Sequence, residues 1–304
     1  MATVVNLDGK LVPPAKATIS VFDRGFLYGD SVYEVVRTYR RRPFELDAHL
    51  ARLARSAGRL GLEPAWDAPR TRRELLATLA AVPPEADPDP EAAPWNQGQL
   101  SLRVIMTRGA GELGLDPALA VEPRALVIAS PLRAPPLAAY RAGVGCRIVG
   151  VRHEAPGAVD PGAKTGAHLA NVLAVREARA SGAHEALLLG AGGQVTEGAS
   201  SNVFAVRAGA LVTPPLGAGI LAGVTRALVL ELAREAGLPA REAPLLPADL
   251  AGAEELFLTS TAREILPVTS LDGRPAGGGR VGPVTTRLGA LFRARADRAA
   301  GGPG

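Results

Sequence analysis

The sequence predicts an α+β protein of two domains: a small α/β domain over residues 1–132 and a larger one over residues 133–304, built on a barrel-like or open mixed sheet. Three observations carry that expectation. At 304 residues the chain is long for a single hydrophobic core. Strand-like and helix-like patterns are interspersed in both halves. Between the halves, SPLRAPPLAAYRAG interrupts the patterning with three prolines, which places a linker at about residues 131–140.

Taken in order, VVNLDGKLV reads as a hairpin, because apolar runs flank the Asp8-Gly9 turn. SVYEVVRTY (31–39) reads as a strand with Tyr33, Val35, Arg37 and Tyr39 on one face. Its other face, Val32, Glu34, Val36 and Thr38, is too mixed for simple solvent exposure. Over residues 46–60, Leu50, Leu53, Ala54, Ala57 and Leu60 recur at helical spacing, with Asp47 as the cap and Gly61 as the stop. RTRRELLATLAAV (70–82) is a second helix, ended by Pro83-Pro84. PPEADPDPEAAPWNQG (83–98) reads as an exposed, peripheral loop.

Strands follow at 99–107 and 124–130. In the second half, strands at 143–151, 185–190, 202–207, 210–213 and 255–260 alternate with helices at 166–181, 223–236 and 283–298, and Gly182 and Gly237 stand where helix C-caps belong. GGGRVG (277–282) does not sit inside a strand–loop–helix unit and reads as a turn rather than a nucleotide loop. Residues 299–304 read as a disordered tail.

Composition narrows the class. An apolar share of 47% against 21% charged argues for a folded chain. The 34 basic and 30 acidic residues give +4, spread along the chain and almost all from Arg, whereas nucleic-acid binding needs a clustered basic face. A single cysteine excludes an internal disulfide and fits a reducing compartment; in VGCRIVGV, Cys146 reads as a small buried hydrophobe. MATVVNLDGK has no basic-then-apolar leader, and no window approaches the roughly 18 apolar residues of a membrane span, so a cytoplasmic protein without membrane attachment is the expectation. No metal site is expected.

The chemistry concentrates around Lys164, the only lysine after Lys16 in a chain whose basic residues are almost all Arg. An amine that must lose its proton and form a Schiff base cannot be an arginine. Thirty-three residues later, TEGASSN sets Glu197 in a turn of small and hydroxyl-bearing residues. A Schiff-base lysine plus a carboxylate able to pair with a pyridinium nitrogen is what pyridoxal phosphate asks of a protein. By themselves the two also read as a surface lysine among glycines and a carboxylate bonding its own turn.

Five blocks widen the basis: FDRGFLYGDSVYEVVRTY (22–39), KTGAHLANVLA (164–174), TEGASSNVF (196–204), GVTRALVLELA (223–233) and ELFLTSTAREILPV (255–268). In this order they resemble the class IV (fold type IV) pyridoxal-phosphate aminotransferases, a family of branched-chain and D-amino-acid aminotransferases, some amine transaminases and aminodeoxychorismate lyase. The resemblance implies the two-domain fold type IV architecture, pyridoxal 5'-phosphate as cofactor, and a homodimer whose partner chain contributes loops near the pocket. It places Lys164 on the catalytic lysine, which also moves the substrate proton, and Glu197 on the acid that faces the ring nitrogen. Arg52, Val224, Thr225, Ser260 and Thr261 fall on phosphate-binding positions.

Many relatives have asparagine and tyrosine where this chain has Ala167 and His168. The imidazole either makes the tyrosine's hydrogen bond to the cofactor or faces the core. Tyr33, Arg37 and Arg103 fall on substrate-pocket positions, and the backbone of Thr261-Ala262 falls on a carboxylate-holding turn. TRGAGELGLDP (107–117) is similar to branched-chain enzymes and lacks the Arg-x-His pair of D-amino-acid enzymes, whereas YEVVR resembles the latter, and Ser101 replaces a common pocket tyrosine. The resemblance implies ping-pong transfer between a branched-chain L-amino acid and 2-oxoglutarate, with D-amino acid, lyase and amine activities as alternatives. A non-enzymatic binding protein is the remaining class, and the presence of both Lys164 and Glu197 argues against it.

Overall fold

The computed structural model describes residues 3–84, 91–152 and 162–301; residues 302–304 of the expected tail and 85–90 of the expected loop lie outside them, whereas Ala299 ends a helix and Ala300 is buried, so the tail does not begin at 299 as expected. These residues form two compact units. The first holds the described parts of 1–90 with 96–133 and 163–168, and the second holds 91–95, the described parts of 134–162, and 169–301. The hexapeptide around Lys164, in the middle of the expected second domain, therefore packs with the first unit.

The first unit is a six-stranded antiparallel sheet in the order Lys10–Val12, Val4–Leu7, Ala120–Pro131, Leu100–Gly111, Ser31–Tyr39, Arg42–Pro43. The hairpin turns at Asp8 and Gly9, both with positive φ. Strand alternation sends Val32, Val36, Leu102, Val104 and Val127 to one face, where they meet Leu50, Leu53 and Leu75 of the helices Leu46–Arg59 and Ala68–Ala80. Glu34 shares that parity and is fully buried with them. Asp47 is not the cap of its helix: Glu45, with φ of 52°, occupies that position, and Asp47 pairs with Arg72 instead. Asp67 caps the second helix by accepting the Arg70 N–H at 2.7 Å.

The second unit is built on a nine-stranded mixed sheet. Its path runs Ala240–Glu242, Ala210–Thr213, Asn202–Arg207, Glu255–Ser260, Glu264–Leu271, Val144–Arg152, Glu185–Leu189, Val195–Gly198, with Arg274–Pro275 added beside Glu264–Leu271. The two ends of this path approach one another through the chain after Glu242: Ala243 N–H donates to Thr213, and Val195 N–H donates to the Leu245 carbonyl at 2.8 Å. That link gives the sheet its barrel-like closure.

Helices Leu169–Ala180, Val224–Glu235 and Pro283–Ala299 cover the sheet close to the expected spans. Cys146 is buried in this core, and burial pushes its thiol well above the ordinary range, so it packs as an inert hydrophobe. Among the described residues, no helix is long and apolar enough to cross a membrane, and no His, Cys, Asp and Glu group is arranged to hold a metal.

Two expectations change. The loop 83–98 is not peripheral throughout: Ala93 is fully buried, Trp95 packs edge-on to Tyr140 at 5.4 Å, and Asn96 is buried in the first unit. A strand not expected from the sequence, Glu264–Leu271, lies in the middle of the second sheet despite Pro267. Its parallel pairing with Val144–Arg152 begins only at Val268, so the missing proline N–H removes no rung on that side.

Candidate active site

Lys164 is fixed by its backbone in the first unit. Residues 164–166 run antiparallel beside the start of the strand Ser31–Tyr39, with Val32 bridged to Thr165. The Tyr33 N–H donates to the Lys164 carbonyl at 3.0 Å, and the Gly166 N–H donates to Ser31 at 2.9 Å. A Cβ at position 166 would meet Ser31 Oγ at 2.2 Å, so a side chain there would have to displace the Ser31 hydroxyl. From the other side, the Lys164 N–H donates to Oγ of the fully buried Ser56 at 3.0 Å.

The lysine side chain is thus launched from an immobilised backbone toward the ring of Tyr33, with Nζ 4.4 Å from the ring centroid. The Arg103 guanidinium lies 4.7 Å from the same centroid, and His168 stands edge-on to it at 5.1 Å. The Tyr33 ring gathers three of the other expected site residues.

Arg52 lies behind that cluster, on the helix Leu46–Arg59. Its Nε and Nη2 grip the two oxygens of Glu34 at 2.6 and 2.8 Å, and His49 Nδ1 lies 2.8 Å from Glu34 Oε2. Burial on its own would raise the Glu34 carboxyl. The hydrogen bonds and charges of Arg52 and His49 outweigh it and hold the pKa at about 2. Arg37 stands apart, stacked 4.2 Å over Tyr39 and donating to Asn96 Oδ1 at 3.0 Å.

In the second unit, Asn202 pairs with Thr259 across antiparallel strands, so the turn after Gly198 and the turn after Ser260 share one end of the sheet. Glu197 is buried there, its Oε2 accepting from Asn202 Nδ2 and from the Leu221 N–H, both at 3.1 Å. Asn202 also donates to the Leu221 carbonyl, which ties the acid to the segment entering the helix Val224–Glu235. That helix begins at Gly223 without a side-chain cap. A Cβ at Gly223 would sit 2.0 Å from Asn202 Oδ1, so the chain passes as close as only glycine allows.

The first N–H groups of the helix, from Val224 and the buried Thr225, have no acceptor within it and form the positive end of its dipole. The turn Ser260, Thr261, Ala262 follows on the neighbouring strand, with Ser260 Oγ accepting from the Arg263 N–H at 3.3 Å. Glu34, His49, Ser56 and Asn202 were not singled out from the sequence: the first three act through partners more distant in the chain, and Asn202 through a turn that folds it back on Glu197. Only the mixed face of 31–39 pointed toward Glu34.

The first unit offers a lysine on a fixed backbone, and the second a buried carboxylate braced by an amide and an uncapped helix start; each is a kind of group that a phosphorylated pyridine cofactor uses. Residues 31–271 match the amino-transferase class IV family. A provisionally named branched-chain-amino-acid aminotransferase of Methanocaldococcus jannaschii is 38% identical, with 95% of each chain covered. The D-alanine aminotransferase of Bacillus licheniformis is 31% identical over 93% of this chain and 94% of its own. A T.th. branched-chain amino acid aminotransferase, solved with pyridoxamine 5'-phosphate, superposes with a TM-score of 0.86 at 28% identity, covering 96% of this chain and 93% of that one. Family match, full-length relatives and shared architecture agree: the chain belongs to the class IV aminotransferases, pyridoxal-phosphate enzymes of fold type IV.

Proposed function

We propose that this protein moves the amino group of a branched-chain L-amino acid to 2-oxoglutarate by a ping-pong mechanism, with D-amino-acid transfer as the second reading. The observation that carries the choice is the state of Arg108. It is the only arginine in residues 107–117, a segment without histidine. Its guanidinium is committed to both Asp30 oxygens and to the Leu60 and Gly61 carbonyls. That leaves no basic side chain of the segment to take a carboxylate, as the Arg-x-His pair of D-amino-acid enzymes would. The backbone N–H groups of Thr261 and Ala262 are then the carboxylate holders. YEVVR at residues 33–37 favours the second reading.

Pyridoxal 5'-phosphate, when bound, supplies an aldehyde for the amino group and a ring that accepts the electron pair left at the substrate Cα. The residues here do the rest. Lys164 Nζ would tether the cofactor and, as a free amine, would take up and return the substrate Cα proton. Glu197 holds a proton on the ring nitrogen by its negative charge. The N–H groups of Val224 and Thr225, the hydroxyls of Ser260 and Thr261, and Arg52 bind the phosphate. His168 offers an imidazole to the cofactor's phenolic oxygen, and Tyr33 and Arg103 line the substrate side; Arg37, buried against Tyr39 and Asn96, stands apart from them. The keto acid formed from the donor leaves before the acceptor enters.

L-leucine and D-alanine, each assayed separately with 2-oxoglutarate, test the choice: turnover of L-leucine is expected, and turnover of D-alanine alone would reverse it. The assembly is a homodimer. In the first unit Val21, Phe22 and Phe26 are each at least 50% exposed, an apolar patch suited to a second copy of the chain. Light scattering is expected to give twice the 31.3 kDa chain mass, and a monomer would refute it.

A further inference from the structure

Arg263 directly follows the Thr261-Ala262 turn and is tied at four points within the second unit. Nη1 donates to Glu185 Oε2 at 2.6 Å and Nη2 to Ser200 Oγ at 3.0 Å. The Arg263 N–H donates to Ser260 Oγ at 3.3 Å, and the Arg263 carbonyl accepts from Tyr140 OH at 3.1 Å. Glu185 is buried, and its Oε2 also accepts from Ser200 Oγ at 2.8 Å and from Ser201 Oγ at 3.4 Å. One carboxylate thus clamps the residue after the turn to the third and fourth residues after Glu197.

Such an ion pair, its carboxylate buried and its guanidinium partly exposed, adds little as stability alone, since desolvating the carboxylate offsets most of the attraction. It does fix direction. A guanidinium reaching Glu185 and Ser200 together sets the position of the Arg263 backbone, and with it the peptide planes just before it. Ser260 Oγ closes the turn from its other end.

We propose that Arg263 and Glu185 are positioning residues that hold the Thr261-Ala262 turn in the conformation whose N–H groups take the substrate carboxylate. The inference rests on the reading of that turn given above. The carboxylate contact is the same before and during proton transfer, so loosening the turn weakens binding of amino acid and keto acid alike and leaves the chemical step nearly intact.

The test is steady-state kinetics of Arg263→Met and Glu185→Gln in the cofactor-loaded enzyme, with L-leucine and 2-oxoglutarate varied in turn. KM for both substrates is expected to rise about tenfold, with kcat within about threefold of the parent and the bound-cofactor content unchanged. Arg263→Lys, which keeps the charge and can reach only one of the two partners, is expected to fall between. Should Arg263→Met fail to fold with Glu185 left unpaired, the double variant Glu185→Gln/Arg263→Met removes both charges and is expected to show the same rise in KM. Parental KM values in folded variants would overturn the proposal, as would an equal fall in kcat and cofactor content. A parent enzyme that transfers no amino group from any amino acid would instead overturn the aminotransferase reading, and the tether's role with it.

Discussion

Replacing Lys164 by alanine is expected to lower kcat for L-leucine and 2-oxoglutarate by roughly 10⁴-fold, the upper range for loss of a positioned acid–base group. The backbone already holds the residue through Ser56 and Tyr33, so truncating the side chain removes the amine and leaves its surroundings in place. Lys164→Arg is the stricter variant. It keeps a long cationic side chain beside Tyr33, yet a guanidinium stays protonated at any working pH and can neither tether the cofactor nor take up the Cα proton. It is expected to be as inactive as the alanine variant. Intact mass after borohydride reduction supplies a readout independent of turnover: the parent chain gains the mass of the cofactor less one oxygen atom, water being lost and two hydrogens gained, and both variants do not. An arginine variant with a tenth or more of parental kcat would show that another group moves the proton.

Lys164 and Glu197 could be picked out of the sequence because their chemistry depends on residue type: a lysine among arginines, an acid in a turn of small hydroxyl residues. Most elements of both sheets were legible for a related reason, since alternation and helical spacing are local. What escaped depends on pairing across the chain. The strand Glu264–Leu271 was hidden by Pro267, which is tolerated because the parallel neighbour begins one residue later. Asp47 has the chemistry of a helix cap, but the left-handed Glu45 caps the helix two residues earlier, and Asp47 pairs with Arg72. Ala93 and Asn96 sit in a run whose composition announces solvent, and burial claims them because Arg37 and the surrounding core offer partners that composition does not reveal.

Glu34 is the clearest case of a role that only tertiary structure reveals, and it carries the largest expected effect on stability. The parity of its strand sends it inward between Val32 and Val36, where an unpaired carboxylate would be neutral, and it is ionised there only because Arg52 and His49 reach it. Glu34→Gln strips the anion from a buried guanidinium, and the expected loss is about 3–5 kcal/mol in urea unfolding.

The pH dependence has a definite sign. The folded pKa of about 2 lies below the usual 4.5, so the unfolded chain binds the proton more readily. The stabilisation is complete above about 4.5 and is lost as pH falls toward 2, a difference on the order of 3 kcal/mol. The parent is therefore expected to lose stability steeply over that window, and Glu34→Gln to show a shallower limb because it has no proton to take up there. Identical acid limbs in the two proteins would mean that Glu34 is not ionised in the fold. Because Glu34 also aims Arg52, the variant is expected to release cofactor phosphate more readily at neutral pH, where the parent's pair is intact. Double substitution of Glu34→Gln and Arg52→Met separates the two effects: removing both charges should restore much of the stability without restoring cofactor affinity.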